Sequence, residues 1–281
     1  MSGVQLKAQG FDFVVEPTRG WATPNLQVLW DYRELMFFLA WRDVKVRYKQ
    51  SLLGIGWVVI QPLTAMVVFT VIFGQFAKLP SEGVPYAVFT YAALLPWQLF
   101  SSAVTRSASS VLSSSSIFTK VYFPRLVLPV AAIFANVVDF GISLVVFFGL
   151  LAIFGIWPGW PLLFLPLFVL LTIATTLAFG IWLAALNVRY RDVTYVVPYL
   201  VQLSLFLSPV AYSATLVPHG VWRVIYSLNP LAGLIQGFRW SLIRGPAPDS
   251  MLLLSVITVS ILLVTGIYYF RRVEKTFADV V

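Results

Sequence analysis

The sequence predicts an all-α polytopic membrane protein with six transmembrane helices, an N-terminal amphipathic interface helix and an outer re-entrant helical hairpin. Three observations lead there. Charge is missing from long apolar stretches at 57–77, 84–105, 140–188, 193–222 and 250–270. A bilayer core about 30 Å thick takes roughly 20 apolar helical residues to cross, and no soluble domain of this length needs so many such stretches. Hydrophobic residues make up 59% of the chain and charged residues 11%, outside the soluble range. Finally, the basic residues are segregated. With six spans and the N-terminus inside, 15 of the 19 Lys and Arg fall in cytoplasmic segments. The outer segments hold only Lys78, Arg223, Arg239 and Arg244. This positive-inside bias makes the net charge of +8 a topology signal, and nucleic acid is not an expected partner.

Residues 1–30 read as a mixed, extended cytoplasmic segment broken by Pro17, Gly20 and Pro24. No cleavable signal peptide is expected, so the first span serves as its own insertion signal. Residues 31–50 form the interface helix, where Asp31 followed by Glu34 resembles a capping box. Phe37, Trp41, Val44 and Tyr48 share one face, with Arg42, Lys45 and Lys49 beside it. The apolar face belongs in lipid and the basic face toward phosphates. Anchor and partner-docking surface are both open readings for this helix.

The transmembrane domain, 51–270, has spans over 55–77, 85–105, 126–154, 162–186, 194–216 and 250–270, and 271–281 is a cytoplasmic tail. Trp157 and Trp160 flank a tight outer turn as interface anchors, and 187–192 is a short inner turn. Pro62, Pro96, Pro198 and Pro209 predict bent spans. The inner connection 106–125 is serine-rich and ends in an apolar, basic run that argues for a docked short helix. The outer connection 216–249 is too apolar for an ordinary loop. There Asn229 is placed to cap a helix with Pro230 at its first position, ended by Gly245 and Pro246. A helix over 230–244 spans only about 22 Å, so a re-entrant hairpin is expected.

Several chemistries are excluded. Cysteine is absent and His219 is the only histidine, which rules out thiolate and His-based metal centres. No Gly-Lys dipeptide exists for a phosphate-binding loop, so any ATPase must be another chain. No catalytic constellation appears. Asp139 is the one acid within a span, and Asn136 one turn before it points to a structural hydrogen bond between helices rather than a proton relay.

Three spans carry polar-aromatic stripes at helical spacing. They are Trp57, Gln61, Thr64 and Gln75; Tyr86, Thr90, Trp97 and Ser101; and Tyr195, Tyr199, Gln202 and Phe206. Aromatic faces stack on sugar rings while amides and hydroxyls bond their OH groups, which suits a carbohydrate conduit; plain helix packing is the alternative.

Several stretches resemble the permease subunit of ABC-2 type exporters for polysaccharides and polyol phosphates. They are Arg47 to Trp57 (RYKQSLLGIGW) with Gln61-Pro62, Leu95 to Ser102 (LPWQLFSS), and Lys120 to Pro129 (KVYFPRLVLP). Further along come Asn187 to Asp192 (NVRYRD), Ser208 to Tyr212 (SPVAY), Asn229 to Gly233 (NPLAG) and Gly237 to Trp240 (GFRW). Together they reach from about residue 32 to 245. One departure is the serine-rich run before Ile117, where the family carries more Asn-containing sequence.

The resemblance implies a homodimer with two cytoplasmic ABC ATPase subunits, in a bacterial cytoplasmic (inner) membrane with both termini cytoplasmic. It implies no enzyme and no cofactor in this chain, with ATP and Mg on the partner. Ser116, Phe118, Lys120, Tyr122, Phe123 and Arg125 would belong to a coupling helix seated on the ATPase. Asn229, Pro230, Arg223 and Arg239 would belong to an outer gate, and the three stripes would line the channel. The implied cargo is a polyprenyl-linked, O-antigen-like glycan. Arg42, Lys45 and Lys49, with Arg223 and Arg239 outside, are candidate phosphate contacts. Two alternatives stay open: an ABC-2 permease for another lipid or small molecule, and a membrane-embedded glycan polymerase or ligase.

Overall fold

The computed structural model describes residues 26–49, 53–114, 123–218 and 220–274. All regular structure among them is helical. A short helix α1 (Leu26–Asp31) leads through Tyr32 into α2 (Arg33–Lys49). Residues 26–30 are therefore helical, not extended. The expected cap also moves, because Asp31 closes α1 while the Tyr32 carbonyl accepts from the Met36 N–H at 3.0 Å.

The first span is α3 (Gly56–Phe69) continued by a π-wound segment, Thr70–Phe76. Across a turn at 77–85 the chain enters α4 (Tyr86–Ser113). This helix runs eight residues past the expected end of span two, through the serine-rich run. Ser109, Ser110 and Ser113 donate to carbonyls of their own preceding turn. Their hydroxyls are thereby satisfied inside the helix rather than competing with it.

Helix α5 (Val127–Ile153) crosses back, and the turn beyond it uses Gly155 at φ 65°, open to glycine. A 3₁₀ turn (Trp160–Phe164) then winds into α6 (Leu165–Arg189), with Trp157 and Trp160 exposed as expected of anchors.

The fifth expected span is cut short. Helix α7 (Val193–Leu207) has 15 residues, about 22 Å, less than a bilayer core. Pro209 is the reason. It forces Ser208 out of helical geometry, to φ −107° and ψ 151°. The chain then turns through 208–218 into α8 (Val221–Ser227), α9 (Pro230–Ile243) and α10 (Ser250–Glu274). Among the described residues five helical segments are long and apolar enough to cross a membrane: α3 with its π-wound end, α4, α5, α6 with its 3₁₀ lead-in, and α10. The protein is an all-α, multi-pass membrane protein.

Helix α4 is the centre. It packs on α3, α5, α6, α7 and α9 and buries Phe89, Tyr91, Leu94 and Leu95 in the main core. Helix α9 is buried along nearly its whole length against α4, α6 and α10. It therefore packs among the long apolar helices.

Candidate functional site

Helix α2 docks on the start of α5. Leu39 and Phe123 are buried together with Val127, Leu128 and Ala131. Further along, Arg47 donates to the Asp139 carboxylate and, at 3.4 Å, to Asn136 Oδ1. The Tyr48 hydroxyl donates to the other Asp139 oxygen. Burial, then the adjacent carboxylate, pushes Tyr48 above its ordinary pKa, so it stays a donor.

Asp139 thus finds its partners on α2. Its expected companion Asn136 donates to the Ala132 carbonyl at 2.7 Å instead. Helix α2 consequently follows α5 from Phe123 to Asp139. The four-residue apolar face is split by this docking, with Phe37 and Trp41 exposed and Val44 buried.

Two cavities open beside this contact. The larger, about 560 Å³, lies between α2, α4 and α5 and takes Arg42, Arg47 and Arg106 into its wall. The smaller, about 220 Å³, is lined by Arg47, Arg106, Trp57, Gln61, Gln98 and Asp139. Arg42 therefore faces a cavity, whereas Lys45 and Lys49 lie on the exposed side of α2.

Two of the three stripes are exposed. In the first span these are Trp57, Gln61, Thr64 and Gln75. On α7 they are Tyr195, Tyr199, Gln202 and Phe206, with Tyr195 81% exposed. The α4 stripe differs. Thr90 is fully buried at 0% exposure, and the Tyr86 hydroxyl donates to the Ala211 carbonyl while its ring covers Gly74. These two side chains belong to the protein interior, because α4 is enclosed by its neighbours. Trp97 and Ser101 are half-buried, and Ser101 donates to the Gln98 carbonyl at 3.2 Å.

Of the coupling residues, Ser116, Phe118, Lys120 and Tyr122 lie outside the described residues, as does His219. Phe123 packs under α2. Arg125 donates from its backbone N–H to Glu274 Oε1 at 2.7 Å and from its guanidinium to the Glu274 carbonyl at 2.8 Å. That pair ties the end of α10 to the start of α5.

At the hairpin end, Asn229 works in two directions. Its Oδ1 accepts from the Leu231 N–H at 3.1 Å, capping α9 behind Pro230. Its Nδ2 donates to the Leu207 carbonyl and to Ser208 Oγ, both at 3.1 Å. The same amide thus starts α9 and finishes α7. Arg223 pairs with Asp249.

Arg239 departs from its expected role as an outer phosphate contact, being 2% exposed with its guanidinium turned inward. It donates to the carbonyls of Phe89, Tyr212 and Val210 at 3.3, 3.1 and 2.9 Å, and stacks 3.5 Å from the Phe89 ring centroid. Two of those carbonyls lie in the broken segment after α7, whose freed oxygens need donors. Sequence reasoning missed both Arg239's role and the Arg47–Asp139 pair. Pro209 was the available signal for the first, since a proline break leaves carbonyls unpaired.

No cluster of three or more His, Cys, Asp or Glu that could hold a metal occurs among the described residues.

Residues 34–243 match a protein family described as ABC-2 type transporter. The chain is 32% identical, over 88% of its length and 95% of the relative's, to the O-antigen export system permease protein RfbA of Myxococcus xanthus. It is 29% identical to the protein of the same name from Klebsiella pneumoniae, over 91% of this chain and 97% of that one. Its identity to the polysialic acid transport protein KpsM of Escherichia coli is 23%, over 83% and 91% of the two chains.

Proposed function

Because this chain belongs to the ABC-2 type transporter family, we propose that it is the membrane-spanning subunit of an ATP-driven exporter. Its cargo is a lipid-linked, O-antigen-like polysaccharide, and its place is the bacterial cytoplasmic membrane. The likeness to O-antigen export permeases over most of the chain carries this reading. The exposed polar-aromatic faces of α3 and α7 support it further. They are uncovered in a single chain, and amides, hydroxyls and rings on one face suit sugar better than acyl chains.

In this reading two copies face each other across those stripes, and two ATPase subunits dock at the end that holds both termini. Trp57, Gln61, Thr64, Tyr195, Tyr199, Gln202 and Phe206 line the conduit. The segment before Phe123 receives the ATPase stroke, and the α8–α9 hairpin closes the far end. ATP biases the cycle only through its preference for the closed ATPase pair. The chain itself performs no bond chemistry.

Two measurements test this. Purification of the tagged chain in mild detergent should bring down a stoichiometric soluble subunit bearing a phosphate-binding loop. Recovery of an intact permease dimer with no such subunit would refute the exporter. Separately, a Trp57→Ala, Tyr199→Ala double variant should insert normally yet export polymer about thirtyfold more slowly, each ring being worth about 1 kcal/mol. Wild-type export in that variant would remove these faces from the conduit.

A further inference from the structure

The two cavities at the end where α5 starts and α10 finishes share a wall, because Arg47 and Arg106 line both. The larger adds Arg42, so three guanidinium groups surround about 560 Å³. The acids facing them are Asp43, which pairs with Arg42 at 2.8 Å, and Asp139, which pairs with Arg47. Arg106 has no carboxylate within ion-pair distance among the described residues. Arg47 Nε is buried without an acceptor among them.

Among the described residues the remaining wall offers no competing anion. Leu39, Val46, Leu128, Ala131 and Ala132 are apolar, and the hydroxyls of Ser109, Ser110 and Ser113 donate into their own helix. A guanidinium left in such a cavity calls for an anion with several acceptor oxygens. Phosphate groups match its forked donors in pairs.

We infer that this cavity binds the diphosphate headgroup of a polyprenyl-linked glycan, Arg42 and Arg106 engaging it and Asp139 being the internal anion it displaces from Arg47. The inference rests on the export reading and names where the cargo's head is first held. In the empty site Asp139 neutralises Arg47 and keeps α2 seated on α5. A headgroup carrying more charge than one carboxylate competes for the same N–H groups. By linkage, whatever frees Arg47 from Asp139 tightens the site. Beyond Arg47 lies the smaller cavity with Trp57 and Gln61, so displacement opens toward the exposed stripe of α3. An anionic phospholipid of the bilayer carries related chemistry, and the experiment separates the two sources.

The test uses the full chain in nanodiscs of neutral phosphatidylcholine, titrated with undecaprenyl diphosphate, with phosphatidylglycerol and with sodium diphosphate, and read by native mass spectrometry. Undecaprenyl diphosphate should bind in preference to phosphatidylglycerol. Arg106→Gln should weaken it about tenfold, as expected for loss of a charge-assisted forked contact. Asp139→Asn should tighten it, while Arg191→Gln, the same charge change at the same end but outside the cavity, should leave it unchanged. Arg42→Gln, on the more exposed wall, repeats the test if Arg106→Gln does not fold.

Wild-type affinity in both arginine variants would overturn the site and leave the exporter reading standing, since that is tested separately by capture of the ATPase. Unaltered binding in Asp139→Asn would overturn the displacement. Phosphatidylglycerol binding as tightly, with the same response to the variants, would make this a bilayer headgroup site and overturn the cargo assignment.

Discussion

An Arg239→Met variant is expected to lose most of the chain's stability and, with it, the seating of the α8–α9 hairpin. The guanidinium donates to three buried carbonyls, those of Phe89, Val210 and Tyr212. Hydrogen bonds from a charged donor contribute about 1.5–3 kcal/mol each, and the Val210 and Tyr212 carbonyls, which lie outside any helix, add a desolvation penalty when left bare. The summed loss exceeds about 4 kcal/mol, a large share of a typical folding free energy. Methionine keeps the bulk against Phe89 and isolates the polar contribution. Arg239→Lys should fall between, because a compact ammonium cannot reproduce the fork. Thermal unfolding of the detergent-solubilised protein, followed by size-exclusion profile, measures this. An unchanged melting temperature in Arg239→Met would show that the three carbonyls are satisfied without it.

Gly237→Ala should be strongly destabilising despite adding a single methyl group. A Cβ there would stand 2.2, 2.4 and 2.7 Å from three ring atoms of Phe168. Alanine normally favours a helix by up to about 1 kcal/mol over glycine, so the intrinsic effect has the opposite sign. The clash prevails because the ring cannot yield. Phe168 is itself buried, with the rings of Phe238 and Trp240 packed on it. Overpacking of this kind costs about 1–3 kcal/mol or more, and here α9 must withdraw from α6. The yield of monodisperse protein and the melting temperature should both fall, and adding Phe168→Leu should restore part of the loss. No rescue by that second substitution would place the strain elsewhere.

Much of the architecture could be read from the chain because each span announces itself locally. A gap in charge, an Asn-Pro start and a Gly-Pro stop are signals carried by adjacent residues. The α9 helix is the best case, with Asn229, Pro230 and the turn after Ile243 all in the expected places. What escaped depends on residues far apart. Arg47 and Asp139 are separated by 92 positions, and no periodicity within either helix points to the other.

Arg239 misled for a related reason: a charge in an outer segment reads as surface until the proline-broken backbone that needs it is located. The early end of α7 follows from one ring at Pro209, whereas Pro62, Pro96 and Pro198 are absorbed inside helices. Their differing fates are decided by packing. The α4 stripe, read as facing a conduit, shows the same limit. Enclosure by later elements sends its upper half to the core and leaves the α3 and α7 stripes outside.

Helix α4 is made early and finished late. It is the least apolar of the five long segments and the most deeply enclosed, yet of the helices around it only α3 precedes it in the chain. When α4 leaves the ribosome, most of the helices that will enclose Thr90, Ser107 and Tyr91 have not been synthesised. The last of them, α9, ends at Ile243. A nascent chain therefore carries its most polar span unshielded for over a hundred codons, and synthesis of α9 is the event that ends its exposure to cellular quality control.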